Sequence, residues 1–153
     1  MGNHEALLLD AFENEKNISK WIQSGGNETL KSFQITSIKN IEPTYLKFFK
    51  ELKYYYSLNE FLFVHAGFND NVVNPFTDFF SMLWKCKESY NNPLLTDKTI
   101  VHGHNPVSVS KCTNRIQSKL SVINIDTGSV YKDNEGFGKL TAFECNTGRI
   151  LFV

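Results

Sequence analysis

The sequence predicts an α+β fold, or an α/β one, with helices gathered at the start of the chain and strands after them. Three observations carry this reading. Apolar residues recur at helical spacing over residues 5–23: Leu7, Leu8, Phe12, Ile18, Trp21 and Ile22. From Tyr54 onward the pattern changes to short apolar runs, such as Phe61-Leu62-Phe63-Val64 and Ser121-Val122-Ile123-Asn124-Ile125. Turn residues punctuate those runs, as in Asn146-Thr147-Gly148.

Each element follows in turn. The first helix is expected to end at Ser24-Gly25-Gly26, because glycine just past the last periodic residue relieves the left-handed cap. Asn27 can cap a second helix reaching Phe33, and Pro43 opens a third that runs through Leu52. Residues 54–56 and 61–64 read as a hairpin around 57–60. A helical stretch over 76–84 follows Pro75. The remaining strands are expected at 99–101, 121–125, 139–144 and 149–153, mostly antiparallel, with the central ones apolar enough for a buried sheet. No repeat, linker or low-complexity tract interrupts the 153 residues, which read as one domain, 1–153.

Composition excludes several classes of function. Hydrophobic residues make up 41% and aromatic ones 14%, which is globular rather than disordered. Sixteen basic residues balance sixteen acidic ones without long runs, so neither nucleic acid nor a membrane surface is an expected partner. Cys86, Cys112 and Cys145 form no metal-ribbon spacing and read as reduced thiols of a cytoplasmic protein. No basic-then-apolar leader opens the chain, and Ala6 defeats a myristoylation signal behind the initial Met-Gly.

The chemistry concentrates in the four histidines, all of which sit in glycine-containing junctions: Gly2-Asn3-His4-Glu5, His65-Ala66-Gly67 and His102-Gly103-His104. The last two directly follow apolar strands, the position from which α/β proteins project functional groups. Neutral imidazole is the commonest metal ligand, and an amide oxygen completes a harder site. Each piece also has an ordinary reading. Gly2 to Glu5 could simply start a helix, and His102 to His104 could be a turn. A fourth segment, Val122 to Gly128, is an apolar strand ending in Asp126-Thr127-Gly128. Asp126 either orients a metal-bound histidine from behind or bonds the amides of its own turn.

Taken in order, GNHE, HAG, GH followed by proline, and DTG resemble the phosphoprotein phosphatase branch of the calcineurin-like metallophosphoesterases. The bacterial and lambda-phage-type serine/threonine protein phosphatases are the nearest likeness, with symmetrical dinucleoside tetraphosphatases as relatives. The resemblance spans the chain and includes Trp21 with Gly25-Gly26 and Met82-Leu83-Trp84. It implies a β-sandwich of two mixed sheets flanked by helices. It also implies a pair of divalent metals, manganese first, with iron or zinc as the other choices. By the same resemblance Asn3, His65 and His104 hold one ion and His4 is the general acid to the leaving group. His102 and Asp126 are left as supporting residues. The implied substrate is a phosphoprotein or another phosphate ester, attacked by metal-activated hydroxide.

The sequence departs from that family in one large respect. The family's GDxHG and GDxxDRG motifs, which supply the first metal's ligands, the bridging carboxylate and a phosphate-binding arginine, are absent. No Gly-Asp dipeptide occurs anywhere in the chain. The second metal of the pair is therefore unsupported, Trp84 is followed by Lys85-Cys86-Lys87 where the family often has arginine, and the chain alone is expected to be inactive. The chain reads as the C-terminal two thirds of a metallophosphoesterase domain, with a missing N-terminal portion as its natural partner. Three readings stay open: a phosphatase that needs that portion, a non-catalytic remnant that binds a partner, and an isolated three-ligand zinc site.

Overall fold

The computed structural model describes residues 1–153 and divides the chain into two compact units, residues 1–53 and 54–153, where the sequence reads as one domain. The α+β class stands: helices precede a four-stranded mixed sheet and a separate two-stranded sheet. No helix is long and apolar enough to cross a membrane.

The first unit is helical. Helix α1 spans Asn3–Glu13 and is entered from an extended Gly2, whose N–H donates to the Glu5 carboxylate at 3.0 Å. Glu5 thus supplies the carboxylate half of a capping box, which satisfies a donor the helix leaves open. The single long helix expected over 5–23 is broken at Asn14, whose side-chain oxygen accepts from the Lys16 N–H and turns the chain into a short 3-10 segment. Helix α2, Ile18–Trp21, runs on into a wide turn that kinks at Gly25, where φ is +95°. Helices α3, Asn27–Phe33, and α4, Pro43–Glu51, follow. Asn27 is the first residue of α3 and makes no side-chain cap; the cap position is Gly26. A Cβ on Gly26 would lie 2.6 Å from the Trp21 ring, so only glycine lets that backbone lie on the indole.

The second unit is built on the sheet β1-β2-β3-β4. Strands β1, Tyr55–Leu58, and β2, Phe61–Val64, form the expected hairpin, closed by a tight turn with Asn59 at φ +53°. Strands β3, Thr99–His102, and β4, Val122–Asn124, then add in parallel, with Phe63 opposite Val101 and His102 opposite Asn124. This corrects the expectation of mostly antiparallel strands. Two crossovers permit it, one carrying helix α5, Phe79–Trp84, and the other carrying α6, Val109–Gln117, which the sequence reading left out. The smaller sheet pairs β5, Thr141–Glu144, with β6, Arg149–Phe152, and is purely antiparallel rather than mixed.

Both faces of the larger sheet are covered. Leu62, Val64, Ile100 and Val122 pack against Phe68, Met82, Tyr90 and Leu95 on one side. On the other, Ile123 meets Cys112 and Ile116 of α6 together with Phe143 and Ile150 of the hairpin. Burial on two faces explains why β2, β3 and β4 read as continuous apolar runs rather than alternating ones.

Candidate metal centre

Parallel pairing gives β2 and β3 the same direction, so their carboxyl ends lie side by side. His65 follows the last residue of β2, and His104 lies two residues beyond the end of β3. Their imidazoles meet there, His65 Nε2 standing 3.0 Å from His104 Nδ1 with the rings edge to face. The two loops are joined by the Gly103 N–H, which donates to the His65 carbonyl at 2.9 Å. Trp84 closes against His104, its ring centroid 5.8 Å away and nearly perpendicular.

The backbone at this point is unusual. His104 has φ +72°, a left-handed conformation that costs a non-glycine residue about 1–3 kcal/mol and persists only where the surroundings enforce it. The enforcement is visible in the bonds around Gly103. Its carbonyl accepts from the His102 Nδ1–H at 3.1 Å, the Asn105 N–H at 2.9 Å and the Cys86 thiol at 3.4 Å. A Cβ on Gly103 would stand 3.2 Å from the Asp126 Cβ, so the DTG turn packs directly behind the histidine loop.

Of the supporting residues, His102 is buried, 6% exposed, and desolvation holds its imidazole below the ordinary value. Asp126 accepts from the Gly128 N–H at 3.0 Å, its carbonyl takes the Val107 N–H at 2.9 Å, and its own N–H donates to Asn124 Oδ1. Of the two roles open to Asp126 in the sequence, the structure exhibits bonding within its own turn. Asn3 and His4 belong to the helical unit, in the first turn of α1; Asn3 is buried and His4 exposed. No three side chains among His, Cys, Asp and Glu converge as a metal-binding group.

The histidine pair nevertheless fits a divalent ion. Their ring nitrogens, 3.0 Å apart, are close enough to be two ligands of one ion. The same distance is also that of one ring N–H donating to the other ring's lone pair.

The sequence singled out Gly67 within HAG without a role for it and passed over Tyr90, and the two hold this arrangement in place: a Cβ on Gly67 would fall 2.4 Å from Tyr90 Oη and 2.6 Å from the Lys85 carbonyl. Tyr90 Oη accepts from the Phe68 N–H at 3.0 Å, and burial pushes its phenol up to about 12. No protein-family model matches the chain, and neither does any curated protein or solved structure.

Proposed function

We propose that the chain carries part of a divalent-metal centre used for hydrolysis of phosphate esters, in the manner of a metallophosphoesterase of the serine/threonine protein phosphatase kind. One observation supports this above the rest: two imidazole nitrogens brought to 3.0 Å at the carboxyl ends of adjacent parallel strands, on a backbone held in a costly conformation. His65 and His104 would hold the ion through Nε2 and Nδ1. Manganese suits imidazole ligands completed by oxygen donors such as water. When bound, the ion would supply Lewis-acid polarisation of the phosphate and a more acidic water. His4 is the general-acid candidate that the resemblance offers, and it belongs to the helical unit.

A second reading rests on the same contact. If one ring simply donates a hydrogen bond to the other, the pair is structural and the chain is a non-catalytic remnant that binds no ion. A titration separates the two. Metal-free protein is titrated with Mn²⁺ and, separately, Zn²⁺, following heat and the fluorescence of Trp84 beside His104. The metal reading expects one saturable Mn²⁺ site, lost in His65→Ala and in His104→Ala. Absence of saturation with either ion, in protein shown to be folded, would leave the hydrogen-bonded pair as the explanation.

A further inference from the structure

Beside His102, the carboxyl ends of β3 and β4 border a cavity of about 300 Å³, at the lower end of the usual range for ligand sites. Its wall includes His102, Lys87, Glu88, Lys111 and Arg115. Three cations thus face one carboxylate, and Lys87 is already paired with Asp70.

Arg115 is pre-organised. Its Nε donates to the Val122 carbonyl at 2.8 Å and its Nη2 to the Glu88 carbonyl at 2.9 Å, while the side chain is 13% exposed. Those backbone contacts leave Nη1 to meet an anion, and the one it meets is Glu88 Oε2 at 2.9 Å. The other Glu88 oxygen takes Lys111 Nζ at 2.5 Å. A single carboxylate, 67% exposed, therefore spans two cations with one oxygen on each. The Lys111 ammonium, with Arg115 behind it, holds that carboxyl below its ordinary value.

His102 adds a polar atom to the wall. Its Nδ1–H is spent on the Gly103 carbonyl, and Nε2 has no partner in the protein. No fully buried side-chain nitrogen or oxygen lacks a partner, so Nε2 is not sealed from solvent, and His102 lines the cavity.

We propose that this cavity is a seat for a small oxyanion of the size and charge of inorganic phosphate, with Arg115 and Lys111 as its cationic walls and Glu88 as an internal carboxylate that occupies the anion's place. Glu88 is suited to yield, since exposed ion pairs contribute little and its side chain can swing into solvent. An anion of higher charge then takes both cations, since Arg115 Nη1 and the Lys111 ammonium already bond one carboxylate. The seat is separate from the His65–His104 pair and does not depend on a metal.

The experiment uses metal-free protein, kept in chelator, and inorganic phosphate as the probe in calorimetric and ³¹P titrations. Glu88→Gln is expected to tighten phosphate binding about fivefold and Lys111→Met to weaken it about tenfold. His104→Ala is expected to leave it unchanged. Circular dichroism checks that each variant is folded; Lys111 and Glu88 are exposed enough for the substitutions to be tolerated. The proposal is overturned if Glu88→Gln protein shows no saturable phosphate binding. It is equally overturned if binding ignores Lys111→Met but disappears in His104→Ala, since the anion would then sit at the histidine pair.

Discussion

His65 and His104 are 39 residues apart in the chain, yet their ring nitrogens stand 3.0 Å from each other. The contact is possible because β2 and β3 run parallel, and because His104 accepts φ +72° to turn its ring back toward His65.

That backbone conformation yields a prediction about stability. Glycine populates the left-handed region freely, whereas alanine pays for it. In metal-free protein, His104→Gly is expected to be more stable than His104→Ala by about 1 kcal/mol, and both are expected to lose the metal site. Urea unfolding of the two variants, with the chelator present, checks the order. Equal stability would mean that the loop relaxes out of the left-handed region once the ring is gone.

Gly67 and Tyr90 make a second test. The glycine of HAG lies so close to Tyr90 Oη and the Lys85 carbonyl that a methyl group cannot enter without moving backbone. Gly67→Ala is expected to cost about 1–3 kcal/mol from overpacking, and to loosen His65 two residues before it. Tyr90→Phe removes the acceptor of the Phe68 N–H and is expected to cost about 1–3 kcal/mol by leaving a buried donor unpaired. Thermal or urea unfolding reads both. A neutral Gly67→Ala would show that the Tyr90 and Lys85 segment yields easily.

Much of this site was legible because its residues follow strand ends. Phe61–Val64 leads into His65 and Thr99–His102 into His104, and short apolar runs identify both strands. The direction of pairing was not legible. A run such as Phe-Leu-Phe-Val looks the same in either orientation once both of its faces are buried. Helix α6 was missed although signals for it exist. Ser108 accepts from the Lys111 N–H as a cap, and Val109, Cys112 and Ile116 recur at helical spacing. Arg115 and Glu88 come together only through the tertiary crossing of α6 over the segment after Trp84, which no local pattern encodes.

A third prediction concerns turnover. The chain contains two arginines, Arg115 and Arg149. Arg115 is engaged with Val122 and Glu88, and Arg149 lies on β6 in the small sheet. Neither is available as a bidentate clamp for a phosphate ester at the histidine pair, and no three His, Cys, Asp or Glu side chains converge to hold an ion. With Mn²⁺ and para-nitrophenyl phosphate, this chain is expected to show little hydrolysis above the metal-only blank. Robust activity that disappears in His4→Asn would overturn the expectation and establish that the residues present suffice.

The last prediction comes from Asp70, which is 6% exposed in its side chain and pairs with Lys87. Its carboxylate also accepts the Asn91 N–H at 3.2 Å. The hydrogen bond from Lys87, outweighing the penalty of burial, holds the carboxyl below its ordinary value of 3.8. A depressed carboxyl stabilises the fold in its ionised form. Its contribution is therefore fully present above the unfolded value and is lost as pH falls through the lower, folded value. Asp70→Asn is expected to cost about 1–3 kcal/mol at neutral pH, the scale of a hydrogen bond to a charged group. The gap between wild type and variant should then close on acidification below pH ~4, where the wild-type carboxyl gains its proton. Urea unfolding at a series of pH values measures it. A gap that persists unchanged into acid would assign the loss to packing of the loop rather than to the Lys87 pair.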